Sequence, residues 1–279
     1  MSATSSTMSP EDQSPDEKTP DNKAPDRSIE LNTLGFADPL RWIVLGFRDF
    51  LKAPGIGLFY GACFMAMGWA LMKVFQSAPA YTLALSAGFL LTGPFMCLGL
   101  YHVSRTLEAG QQPDFGQSLL AWDARIGPLG IFGFVLLVLE MLWGRASLIV
   151  FAVSFDGMPD FKGSLLALLD PENINFIVAY VAVGALFAGL IYATCVISIP
   201  MLLDRNTDAI TAGLTSFRLV LTQPGVMIWW GLLLTGLVVL AMLPWFAGLL
   251  VVGPVLGHAS WHAYRAAVQR DAAAEVPQG

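Results

Sequence analysis

The amino-acid sequence predicts an all-α polytopic membrane protein with six transmembrane helices, arranged as three parallel hairpin repeats, each preceded by an amphipathic interfacial helix. Three observations lead there. The 279 residues are 55% apolar and only 13% charged, about half the charged share of an ordinary soluble domain. The charges crowd into the first thirty residues, and several apolar runs beyond them reach the roughly 20 residues that a helix needs to cross a bilayer. Inside those runs one pattern returns: Gly93-Pro94, six residues, Tyr101-His102, two residues, Arg105 recurs as Gly253-Pro254, Trp261-His262 and Arg265 with the same spacing.

Residues 1–36 are rich in Ser, Thr, Pro, Asp and Glu, with prolines at 10, 15, 20 and 25. Such a segment buries too little apolar surface to offset its ordering entropy, so it is expected to be a disordered acidic tail. It lacks the apolar stretch of a signal peptide. The acidic excess behind the net charge of −6 sits mainly in this tail. No basic cluster points to nucleic acid.

The membrane domain is expected over 37–265. Asp38 suits an N-cap and Pro39 the first helical turn. Arg41, Arg48 and Lys52 then fall on one stripe of a helix otherwise rich in Trp42, Ile43, Phe47 and Phe50. This is the pattern of a helix lying in the membrane interface, broken by Pro54-Gly55. Six spans are expected at about 55–75, 80–103, 127–155, 174–203, 226–243 and 246–264, with a polar C-terminal tail over 266–279. A short helix is expected around 164–169, inside the acidic stretch 156–173. Pro244-Trp245 makes the tight turn between the last two spans.

The repeat extends beyond the Gly-Pro unit. Phe47-Arg48, five residues, Pro54-Gly55 returns as Phe217-Arg218, five residues, Pro224-Gly225. The middle hairpin fits more weakly, through Trp122, Gly127-Pro128 and Pro200. Gly93, Pro94, Gly253 and Pro254 are read as structural kinks, because proline removes a backbone hydrogen bond and glycine admits a close neighbour. Helix contacts near Gly93 and Gly253 are expected to be tight. Arg41, Arg48, Lys52, Arg105 and Arg265 act as interfacial anchors. With Arg125, Arg205, Arg218 and Arg270 they lie on one side of the layout, and Lys73 and Lys162 on the other. The positive-inside rule then places both termini in the cytoplasm.

Few residues carry chemistry. Glu140 lies in an apolar run, and an ionisable group there serves either as structural polar glue or in transport or proton movement. Arg145, five residues on, falls on another face and is not an ideal partner. His102, His258 and His262 are the only histidines. They could ligate haem or copper if they converge, or sit as amphipathic rings at the headgroups. Cys63, Cys97 and Cys195 are far apart and read as small hydrophobes. No catalytic constellation appears, so no enzyme activity and no cofactor are expected beyond that haem or copper alternative.

Trp143-Gly144-Arg145-Ala146 in its apolar run, Phe47-Arg48-Asp49 with Pro54-Gly55, and the Gly-Pro-to-Tyr-His unit together resemble a bacterial family of predicted integral membrane proteins of unknown function. Some of its members are described as cytochrome c oxidase subunits. The likeness covers nearly everything after the N-terminal tail. It implies a multi-pass protein of the bacterial cytoplasmic (inner) membrane. Two functional readings follow: a membrane scaffold or transport-related bundle, in contact with lipids and with a second copy or a membrane-complex partner, or an accessory subunit of a respiratory complex holding haem or copper.

Overall fold

The structure, a computed structural model, describes residues 29–77, 82–154 and 174–269. Most of the expected tail (1–28), the whole acidic stretch 156–173 with its short helix at 164–169 and Lys162, and residues 270–279 with Arg270 lie outside the described residues.

The first helix, α1 (Asp38–Lys52), starts with Asp38 inside it and Ala37 as its N-cap. The Asp38 carboxylate accepts the Gly35 N–H at 2.7 Å instead of capping the helix directly. Pro39, Trp42, Gly46, Asp49 and Phe50 form the buried face, a helical spacing that turns Arg41, Arg48 and Lys52 outward. Leu40, Val44, Phe47 and Leu51 are also exposed, so α1 offers apolar and basic groups side by side to its surroundings. At Ala53 (φ −133°, ψ 57°) the chain turns into α2 (Pro54–Ser77). The same corner returns at Gln223 (φ −131°, ψ 54°), where α8 (Ala209–Thr222) meets α9 (Pro224–Met242). In both, a proline that needs no N–H donor opens the second helix.

Between these corners lie α3 (Thr82–Glu108), the short α4 (Phe115–Leu119), a 3-10 turn at Asp123–Arg125, α5 (Ile126–Ser154), α6 (Ile174–Cys195) and α7 (Ser198–Asp204). Asp114 caps α4 by accepting the Gln117 N–H, and Asp208 caps α8 by accepting those of Ile210 and Thr211. The tight turn after α9 forms as expected, with Trp245 and Phe246 both at positive φ (54° and 64°). Such backbone is costly for residues with a Cβ. Two contacts hold it: Trp69 Nε1 donates to the Trp245 carbonyl at 2.7 Å, and the Phe246 ring lies against Gly68. The last described helix, α10 (Leu249–Ala267), follows.

The six-span, three-hairpin layout does not hold. Among the described residues four stretches are long and apolar enough to cross a membrane: Pro54–Ser77, Phe115–Ser154, Ile174–Asp204 and Pro224–Met242. The expected spans at 80–103 and 246–264 are not among them. Helix α3 carries His102, Ser104, Arg105, Thr106 and Glu108 in its last two turns. Helix α10 carries His258, Ser260, His262 and Arg265, and Pro254 to Ala259 are buried without interruption. It is a core helix enclosed by α1, α2, α3 and α9, so it needs no lipid-facing surface. The middle unit fails for a second reason, because the helix before α5 is only five residues long. The four candidate spans face outward instead. Only 6% of the most apolar window of Ile174–Asp204 is buried, and apolar surface of that extent needs lipid around it. The protein is therefore an all-α polytopic membrane protein.

Glycines set how closely α10 is held. A Cβ on Gly46 would lie 2.5 Å from the Val255 carbonyl oxygen, and one on Gly61 2.0 Å from that of Leu250. Gly253 is tight as expected, against the Phe64 ring. Gly93 is not, since nothing lies within 4 Å of the place its Cβ would take. Pro94 and Pro254 both sit inside continuous helices. Residues 29–36 run along the end of the bundle. Leu31 pairs with Val268, and the Gln223 side chain accepts the Leu34 N–H at 2.7 Å while donating to the Asn32 carbonyl at 2.8 Å.

Candidate functional site

A cavity of about 690 Å³ opens between the helices. It lies between α2, α3, α5, α6, α9 and α10. The sequence makes it in a simple way: Gly93, Gly184, Gly253 and Gly257 line it and contribute no side-chain bulk, while Phe64, Phe187, Ile191 and Leu234 form apolar walls. Both Gly-Pro units therefore border one cavity. Glu140 is its one acidic lining residue among those described.

Glu140 is 8% exposed, and its Oε2 is buried without a hydrogen-bond partner among the described residues. Tyr192, also on the wall, spends its hydroxyl on the Met227 carbonyl at 2.7 Å. Arg145 is exposed and forms no ion pair with Glu140. A carboxyl in an apolar, unpaired setting is costly, by several kcal/mol if ionised. Chemically the site can accept a cation, bind a hydrogen-bond donor or carry a proton.

A second set of polar groups fastens the other helices to α10. His262 Nε2 lies 2.8 Å from Asp49 Oδ2, and His258 Nδ1 lies 2.8 Å from Ser104 Oγ. Burial alone would raise the Asp49 carboxyl. The hydrogen bond and charge of His262 oppose this, with smaller contributions from Ser104 and His258, and together they hold it below the usual aspartate range. Farther along α10, Arg265 reaches Glu108 at 3.0 Å and Asp204 at 3.3 Å. Trp261 Nε1 donates to Glu108 at 3.1 Å, and the Tyr264 hydroxyl donates to Asp204 at 2.8 Å. Arg205 donates to Tyr264 and to the Gln269 carbonyl.

The histidines are thus divided. His258 and His262 share the neighbourhood of Asp49, whereas His102 lines a separate pocket with Arg105 and Arg125. Among the described residues no group of three or more His, Cys, Asp or Glu is placed to hold a metal ion. Arg105, read as an interfacial anchor, also donates to the Leu203 carbonyl at 3.1 Å. Arg265, read in the same way, is a buried-side clamp. Arg41, Arg48 and Lys52 stay exposed. Sequence reasoning missed Asp49, Ser104, Glu108, Asp204 and Tyr264. Asp49 carried a signal: it falls on the Trp42–Gly46 face of α1, beside the basic stripe and 4.0 Å from Lys52 Nζ.

This arrangement defines an all-α polytopic membrane protein with one buried carboxyl on a cavity between its helices. Residues 82–204 match a family described as "Predicted integral membrane protein (DUF2189)". The matched range runs from α3 to the end of α7, so it holds Glu140, Gly93-Pro94 and His102 and leaves α1 and α10 outside. Nothing in that match ties the chain to a cytochrome oxidase. No curated protein and no solved structure matches the chain.

Proposed function

We propose that the chain is a transport-related membrane bundle without catalytic activity, working through the cavity at Glu140. The observation behind this reading is the buried Glu140, whose Oε2 has no hydrogen-bond partner among the described residues, on a cavity of about 690 Å³. A pure scaffold gains nothing from such a group, since an apolar residue would fill the place at lower cost. The chemistry suits an apolar or amphipathic molecule carrying a cationic or donor group, or a proton. The same proposal puts the protein in the bacterial cytoplasmic membrane with the α3–α10 end inside, because Arg105, Arg125 and Arg265 gather at that end around Leu203, Asn206 and Asp204. Association with a second copy or another membrane chain belongs to the same proposal. For the haem or copper alternative, no converging donor set is found among the described residues.

The test uses dicyclohexylcarbodiimide, an apolar reagent for protonated carboxyls, on membranes containing the full chain. Mass spectrometry is expected to find the adduct on Glu140 and to lose it in Glu140→Gln. If Glu140 stays unmodified in folded protein from pH 5 to 7.5 while exposed carboxyls react, the cavity is closed to ligands and the proposal fails.

A further inference from the structure

A second cavity, of about 430 Å³, lies where α3, α4, the 3-10 turn and α7 meet. Its lining differs in kind from that of the Glu140 cavity. His102 and Arg105 come from successive positions on one face of α3, Arg125 from the 3-10 turn and Gln117 from α4. The Nε2 of His102 is buried and has no hydrogen-bond partner among the described residues. Arg105 spends one Nη1 contact on the Leu203 carbonyl at 3.1 Å, and Arg125 one on Asn206 Oδ1 at 2.6 Å. A guanidinium carries five N–H donors, so both keep several for a ligand. Asp204 also borders the space, but its carboxylate is held by Tyr264 at 2.8 Å and Arg265 at 3.3 Å. Asp114 faces His102 and is engaged as the cap of α4. The remaining character is two fixed cations and an imidazole around a space.

Guanidinium forks match a tetrahedral oxyanion with paired N–H···O bonds. We propose that this pocket binds a phosphate group, with Arg105 and Arg125 as the charged donors and His102 Nε2 as a third contact. The phosphate can come from an anionic phospholipid headgroup or from a soluble phosphate ester. A neighbouring feature favours the lipid. An apolar groove of about 530 Å³ lies on the other side of α4, lined by Phe59, Phe95, Met96, Trp122 and Ile126. Gly99 borders that groove, and His102 is one helical turn farther along α3. An acyl chain in the groove would leave its headgroup beside the arginines. This site is independent of the Glu140 reading and stands or falls separately.

The experiment measures binding to the full chain in detergent, using dihexanoyl phosphatidylglycerol, dihexanoyl phosphatidylcholine and inorganic phosphate as probes. Phosphatidylglycerol is expected to bind, and His102→Gln and Arg125→Gln are each expected to weaken it about tenfold, the loss of one charge-assisted hydrogen bond. Arg145→Gln, which removes an exposed arginine elsewhere, is expected to bind as the parent does. Tighter binding of phosphatidylglycerol than of inorganic phosphate identifies a lipid site. Equal binding of the two, lost together in the variants, identifies a site for soluble phosphate esters. The proposal is overturned if neither anion binds, if phosphatidylcholine binds as well as phosphatidylglycerol, or if both variants, folded by size exclusion and tryptophan fluorescence, bind like the parent.

Discussion

His262 Nε2 and Asp49 Oδ2, 2.8 Å apart, join the first helix, α1, to the enclosed helix α10 across 213 residues of chain. Asp49 is 5% exposed, so the pair is shielded from the screening that weakens surface ion pairs. Asp49→Asn is expected to cost about 1–3 kcal/mol, the usual penalty for removing one partner of a buried charged hydrogen bond. Its pH dependence has a definite sign. The folded-state carboxyl sits below its unfolded value, so its contribution is complete above the unfolded pKa of about 3.9 and is lost as pH falls through the lower folded value. Thermal unfolding in detergent at pH 3 to 7 checks this. The gap between parent and variant is expected to be wide at pH 6 and to close in the acid range.

Gly61 and Gly93 give opposite expectations for the same substitution. A Cβ on Gly61 would sit 2.0 Å from the Leu250 backbone oxygen, whereas one on Gly93 would meet nothing within 4 Å. Gly61→Ala must push α2 off α10 and is expected to cost about 1–3 kcal/mol or more. Gly93→Ala is expected to be neutral or slightly stabilising, since alanine is the better helix former by roughly 1 kcal/mol. Unfolding midpoints of the two variants decide the matter.

Gln223 clamps residues 29–36 through two hydrogen bonds to their backbone. Gln223→Ala removes both, at about 1 kcal/mol each. The expected outcome is faster hydrogen exchange at Leu34 and easier proteolysis near residue 30, with the helices protected as before. Unchanged exchange at Leu34 would show that Leu31, Asn32 and the α10 end hold the segment without it.

Glu140→Leu separates stability from activity. Replacing an unpaired buried carboxyl by an apolar side chain is expected to raise stability by about 1–3 kcal/mol at neutral pH. The same change removes the only acidic group among the described residues of the cavity wall. A stabilised variant that no longer takes up the carbodiimide at position 140 would show the trade-off common at functional sites. A destabilised one would mean that Glu140 serves packing.

Local features were legible from the residues themselves. The basic stripe and apolar face of α1, the Pro54 and Pro224 corners, and the isolation of Glu140 each follow from spacing over a few turns. The number of membrane-crossing helices was not legible. Apolar runs of similar length serve equally for a helix in lipid and for one enclosed by protein, and α10 is of the second kind. The acid–base pairs escaped for a related reason. Asp49 and His262, or Arg265 and Glu108, are more than 150 positions apart, so only tertiary packing brings them together. The two Tyr/Trp-His-x-x-Arg segments matched in sequence yet diverge in use: Arg265 binds two carboxylates, and Arg105 lines the basic pocket.

The enclosure of α10 bears on how the protein is made. This helix follows the other described helices in the chain, yet it occupies the middle of their assembly. Without it, Gly46 and Gly61 would lose the backbone they approach, and Asp49 would lose its contact with His262. A chain that assembled in the order of its synthesis would seat α10 last, and that one step would bring His262 to Asp49 and Arg265 to Glu108. A ribosome stalled before residue 249 would hold an open, sticky intermediate of the kind that membrane quality control removes.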